Sequence, residues 1–168
     1  MGSFTVTHEI NCDEETFWKL FFDKEFNEHL YRDGLGFPEW NEVEQVDTGT
    51  EIRRTTSGRP KLAGVPGPIA KLLGDSFGYR ETGSMDKTAK VWKYKLTPST
   101  LAEKLRQEGS LRIQSAGEGK VKRVVDLIVE AKVFGIGGLL ESTTEKQLRD
   151  GWDKSALFMN KWVADHKK

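Results

Sequence analysis

Cysteine is almost missing: Cys12 is the one thiol in 168 residues. No intrachain disulfide can form and no cysteine-based zinc site can be assembled, which suits a reducing compartment. Long apolar runs are missing too. None approaches the roughly 20 residues of a membrane-crossing helix, and the N-terminus carries no apolar signal segment. The opening MGSFTV puts Val6 where a myristoylation signal wants Ser or Thr. Excess charge is also lacking, with 26 Lys and Arg against 26 Asp and Glu. Nucleic-acid binders usually carry a basic surplus, so nucleic acid is not an expected partner. His8, His29 and His166 are scattered, the last in the basic tail, with no second ligand at metal spacing. Neither a metal nor another cofactor is expected, and no Gly-x-Ser-x-Gly elbow is present. The reading is a soluble, cytoplasmic, monomeric protein with one domain over residues 1–168.

Aromatics, by contrast, are abundant, with nine Phe and five Trp. Such side chains fill a core or line an apolar pocket. Residues 3–10 alternate, with Phe4, Val6, His8 and Ile10 on one side, which is the period of a half-buried strand. Asp13 then caps a helix whose Phe17, Leu20 and Phe21 form an apolar stripe widened by Trp18. A second short helix follows and stops at Gly34. FPEWNEVEQVD and TEIRRTTS read as strands joined at Asp47–Gly49, and SFGYRETG and AKVWKYKL as strands joined through Ser84–Lys87. PSTLAEKLRQEG fits either a short helix or an extended excursion. SLRIQS and VKRVVDLIVEAKV form a hairpin about GEG. In its second arm Arg123 interrupts an apolar row that includes Leu127 and Val129.

From there the period becomes helical. Leu148, Trp152, Ser155, Ala156, Met159, Trp162 and Val163 make one stripe of a helix of about 25 residues, or about 37 Å. Before it lies KVFGIGGLLESTT. It lacks the Lys of a phosphate loop, and Leu140 stands where a dinucleotide fingerprint wants a third glycine. Gly135, Gly137 and Gly138 are therefore read as a hinge that turns the last strand sharply into the helix.

Strand, two helices, a run of antiparallel strands and a long terminal helix make an α+β arrangement, in which the helix covers one face of a curved sheet. This is the order of the helix-grip fold, and the chain resembles the START-like superfamily, also called StARkin or SRPBCC. The resemblance spans nearly the whole chain. It is carried by CDEETFWKLFFDKEF after the first strand and by VFGIGGLLESTTEKQLRDGWDKSALFMNKW at the end. FFDKEFNEHLYRDGLGFPEWNEVE is similar to the VASt sterol-transfer branch, and small bacterial START-like proteins look similar too. The resemblance implies a deep cavity between sheet and terminal helix for a sterol, another lipid or a polyketide.

Expected cavity residues are Trp40, Phe77, Tyr79, Trp92, Tyr94, Arg123, Leu127, Val129, Leu148, Trp152 and Met159. The Pro/Gly-rich segment RPKLAGVPGPIAKLLGD offers Leu62, Val65, Ile69, Leu72 and Leu73 beside Lys61 and Lys71, either as a lid or as a tip for transient membrane contact. With the hinge glycines these form the expected entrance. Arg123 either packs its stem and reaches solvent or offers its head to a ligand. Glu81 and Arg54 could pair inside, and Cys12 reads as structural. The leading expectation is a non-enzymatic carrier of a sterol or other lipid. A cyclase, aromatase or hydrolase using His8, Tyr79, Glu81 or Arg123 is the first alternative, and a chaperone-activator-like interaction module the second.

Overall fold

The computed structural model describes residues 2–62 and 64–166. Strand β1 (Gly2–Ile10) leads into α1 (Glu14–Phe21) and α2 (Lys24–His29). Each helix starts at an aspartate: the backbone N–H of Thr16 donates to Asp13 Oδ1 and that of Phe26 to Asp23 Oδ2, both at 2.8 Å. Buried Asn27 ties the corner by donating to the carbonyl oxygens of Phe21 and Asp23. A π-helical turn over Leu30–Gly34 follows. It ends at Gly34, where a Cβ would stand 2.8 Å from the ring of Phe158.

Then come β2 (Glu39–Asp47), β3 (Glu51–Arg59), α3 (Gly67–Leu73), β4 (Tyr79–Asp86), β5 (Val91–Pro98), β6 (Leu105–Ser115), β7 (Val121–Ala131) and α4 (Gly137–Asp165). The strands form one antiparallel curved sheet in the order β1-β7-β6-β5-β4-β3-β2. With α4 laid against it this is the α+β helix-grip arrangement.

Three boundaries differ from expectation. The β4–β5 turn lies at Lys87–Lys90, because the Asp86 carboxylate accepts the N–H groups of Thr88 and Ala89 and prolongs β4. Strand β6 starts at Leu105, because its first residues pair with β7 from Leu105 opposite Ala131 onward. Helix α4 runs 29 residues, about 43 Å. The hinge behaves as read. Gly135 has φ +84°, and a Cβ on Gly137 would lie 2.6 Å from the Ala131 carbonyl oxygen. Glu141 closes the corner by accepting the Ala131 N–H at 3.0 Å.

Helix α4 does not span the whole sheet. It rests on β1, β7 and the π-turn, and α1 packs against the middle strands through Phe21 and Phe22 on Trp92. The main core gathers there, with Val6, Ile10, Phe17, Trp18, Phe26, Trp92, Leu111, Val125, Ala156 and Met159. A second, smaller core joins Ile69 and Leu73 of α3 to Ala131 and Leu140.

Candidate functional site

Directly paired residues on neighbouring strands share a face, so the register sorts the covered face into cross-sheet rows. The row Met85–Trp92–Leu111–Val125 is sealed, with every member buried. Three rows along, the pattern has changed. Tyr79, Pro98 and Leu105 keep accessible surface, as do Glu81, Leu96 and Gln107 in the row between that one and Tyr94. Helix α4 shows the same polarity. Ser155, Ala156 and Met159 are buried in its second half, whereas Thr144, Leu148 and, at its middle, Trp152 are only half-buried; Leu140 in the first turn is buried against the α3 core. The interior is closed at the α1 end and looser at the α3 end.

Burial pushes the Glu81 carboxyl and the Tyr31 and Tyr79 phenols above their ordinary ranges. Yet none of the three is sealed from a water-sized probe. Groups that are deep but not sealed border space. For Glu81 the nearby Arg54 charge opposes the burial effect. A hollow of about 290 Å³ at the ends of β2–β5 is lined mainly by Ser57, Arg59, Arg80 and Thr97 on the opposite, uncovered face, and meets the covered face at Gly58 and Tyr79. A second groove of about 670 Å³, bordered by Lys93, Lys95, Ser110 and Asp126, crosses β5, β6, β7 and β1 on the uncovered face.

Glycines keep the aromatic rings low. A Cβ on Gly83 would meet Trp92 at 2.3 Å, one on Gly109 would meet the Tyr94 hydroxyl at 2.7 Å, and one on Gly58 would meet that of Tyr79 at 3.0 Å. Each ring lies across the neighbouring strand instead of standing up from the sheet.

The expected site residues therefore divide. Tyr79, Leu148 and Trp152 face the looser region, and Tyr94 and Val129 border it while being buried themselves. Trp40, Trp92 and Leu127 are packing residues, each 1% exposed. Trp40 stacks on Tyr31 at 4.9 Å, Trp92 sits under Phe21 and Phe22, and Met159 belongs to the main core. Phe77 packs in the α3 core.

The Pro/Gly-rich segment is corrected similarly. Ile69 and Leu73 are buried, and Leu62, Val65 and Leu72 pack against them, so its apolar residues form a local core and not an exposed tip. Complete burial of Ile69 contributes about 2 kcal/mol. Phe134 and Leu139, on either side of the hinge glycines, are exposed apolar residues at this end.

Arg123 does not reach solvent. It is 4% exposed, lies over the Trp152 ring at 4.8 Å, and donates through Nη2 to the Trp152 carbonyl oxygen and to His8 Nδ1. His8 in turn donates through Nε2 to Asp153 Oδ1 at 2.6 Å. Burial pulls the guanidinium down to about 10. The chain of contacts fastens β1 and β7 to α4 and leaves neither ring nitrogen of His8 free for chemistry.

Arg54 does not pair with Glu81. Its Nη1 donates to the Phe21 carbonyl oxygen at 2.6 Å, and its guanidinium lies among Phe21, Phe22 and Trp92. The Cys12 thiol is pushed up to about 11 by burial and by Asp13, which leaves it unreactive at neutral pH. Among the described residues no three His, Cys, Asp or Glu side chains group as metal ligands would.

The inner row Glu42–Thr56–Glu81 was missed except for Glu81. One signal was available: TrpxGlu in β2 and ArgxThrxGly in β3 place polar residues at the spacing of buried neighbours.

Residues 5–163 match the family model described as "Protein of unknown function (DUF2505)". The chain belongs to this family. No curated protein matches it. Solved structures supply the fold relatives. An aromatase/cyclase, Zhui, from Streptomyces sp. R1128 superposes with TM-score 0.72 at 10% identity, covering 99% of this chain and 96% of that one. A START superfamily protein from Mycobacterium smegmatis gives 0.59 at 16% identity over 97% of both chains. Norcoclaurine synthase from Thalictrum flavum, in complex with dopamine and hydroxybenzaldehyde, gives 0.61 at 13% identity over 99% of this chain and 88% of that one. This DUF2505 chain thus has the START-like, SRPBCC fold.

Glu81 yields a pH prediction. Its folded carboxyl holds a proton more tightly than the ordinary carboxylate at 4.5. Its stabilising share is complete below that value and is lost as pH rises through the raised one. Glu81→Gln removes the charge, so the variant should be more stable than wild type at pH 7, by on the order of 1 kcal/mol. The gap should close below pH 4.5. Urea titrations at pH 4 and pH 7 check this, and an equal gap at both would contradict it.

Proposed function

We propose that this protein binds an apolar small molecule between the looser half of the sheet and the first half of α4, and holds it for carriage or transfer. One observation carries the reading: on the covered face the row Met85–Trp92–Leu111–Val125 is sealed, whereas Glu81, Leu96 and Gln107 two rows along keep accessible surface. Packed interiors leave few voids. A half-row of Glu81, Leu96 and Gln107 with surface to spare is therefore capacity for a guest. The flat rings of Tyr79 and Tyr94 suit a compact ring system, and a sterol is the first candidate. Entry is at the α3 end, between the α3 core and the hinge.

Delipidated protein should take up the neutral dye N-phenyl-1-naphthylamine saturably, with a rise in emission. Leu96→Trp, which projects an indole from the middle of the row, should weaken uptake by about tenfold or more with little change in melting temperature. If wild-type protein takes up neither the dye nor sterol, fatty acid or phospholipid, the reading is wrong.

A second reading is supported by the desolvated Glu81 and the Tyr79 two residues before it: acid–base turnover of the bound molecule, as in a cyclase. It requires product formation from a candidate ligand that Glu81→Gln abolishes while dye uptake persists.

A further inference from the structure

We propose that the row Glu42–Thr56–Glu81 is the polar anchor of the ligand space, and that it selects neutral hydroxyl-bearing molecules over carboxylic acids. This rests on the ligand-binding reading above.

Register puts the three side chains together: Glu42 is directly opposite Thr56 and Thr56 directly opposite Glu81, on the face shared with Trp40 and Tyr94. At about 4.8 Å between strands the row spans about 10 Å. All three lack partners. Glu42 Oε1 is buried with no hydrogen bond. Thr56 is 4% exposed, and its hydroxyl has no partner among the described residues. No donor among them reaches Glu81 either. Buried polar groups are ordinarily satisfied, so the buried, unbonded Glu42 Oε1, beside two neighbours that also have no partner among the described residues, calls for a donor brought by the guest.

The cations nearby are already committed. Arg54, one row away and opposite Gln45 and Gly83, donates to the Phe21 carbonyl and is ringed by aromatics. Arg123 serves the Trp152 carbonyl and His8. Two inward arginines and two inward glutamates balance in formal charge. A carboxylate guest would add a third anion beside two carboxylates with no cation free to meet it. An ammonium guest would meet two unpaired carboxylates, so the decylammonium arm separates recognition by charge from recognition of a hydroxyl. A hydroxyl brings a donor and no net charge, and so avoids the cost of burying an unpaired ion. Thr56, able to donate and to accept, suits a hydroxyl from either side.

The test uses full-length delipidated protein loaded with N-phenyl-1-naphthylamine at pH 7.5 and displaced by decan-1-ol, decanoate or decylammonium, which share one chain length. Wild type should prefer the alcohol to the acid by about tenfold or more. The double variant Glu42→Gln/Glu81→Gln should shrink that ratio by about tenfold, chiefly because decanoate binds better. Thr56→Val, nearly isosteric, should weaken decanol several-fold relative to decanoate. If the double variant keeps the wild-type alcohol-to-acid ratio, or wild type prefers decanoate, the anchor is refuted while the ligand space stands. If wild type takes up no dye, the ligand space and the anchor fall together.

Discussion

Valine at position 83 is expected to destabilise the protein by about 3 kcal/mol or more, the upper range for overpacking a core. Gly83 faces the interior on β4, and a Cβ there would stand 2.3 Å from Cζ2 and 2.7 Å from Cη2 of Trp92. The ring cannot step aside. Trp92 is 1% exposed, with Phe21 at 5.4 Å, Phe22 at 5.6 Å and the Arg54 guanidinium at 4.9 Å from it. Displacing the indole would disturb the seat of α1 and the Arg54 bond to Phe21 together. For a chain of this size the melting temperature should fall by about 6–12 °C. Thermal unfolding followed by circular dichroism checks it. A variant melting within 2 °C of wild type would mean that the ring has an alternative seat.

The second large effect is at Arg123. Truncation to alanine removes the hydrogen bonds to the Trp152 carbonyl and His8, the cation over the Trp152 ring, and the volume of a residue that is 4% exposed. A cost of about 3 kcal/mol is expected from the cavity and the unpaired His8 nitrogen together. Arg123→Met refills most of the volume and no longer buries a charge, so it should lose only about 1 kcal/mol. Urea midpoints of the two variants at pH 7 separate packing from polar contact. An alanine variant within 0.5 kcal/mol of wild type would contradict the role assigned to this arginine.

Much of the fold could be read from residue periods, because those periods are local. Alternation in β1, the caps at Asp13 and Asp47–Gly49, the hairpin of β6 and β7 and the stripe of α4 all survive in the structure. What stayed hidden depends on partners distant in sequence. Residues 101–108, LAEKLRQE, contain good helix formers, yet pairing with β7 makes 105–108 a strand. The irregularity between Glu42 and Glu44 breaks the alternation of β2 just where Glu42 turns inward.

Gly83 and Gly109 look like weak strand positions until the rings from β5 are seen lying over them. Leu62, Ile69 and Leu73 look exposed beside two lysines, because nothing nearby in sequence shows that Ala131 and Leu140 will meet them. Arg123 stood out at once as the odd member of an apolar row, but its contacts with Trp152 and His8 join residues 29 and 115 positions away.

The sealed row at Trp92 has a metric consequence. Along β5 from Trp92 to Pro98 the strand advances six residues, about 20 Å. The ligand space proposed above would be a dead end no deeper than that, and would work as a ruler. A compact multi-ring molecule would fit inside with its oxygen against the floor, whereas a two-chain lipid would leave its tails or its headgroup in water. Such a blind space would discriminate by length before any polar contact is made.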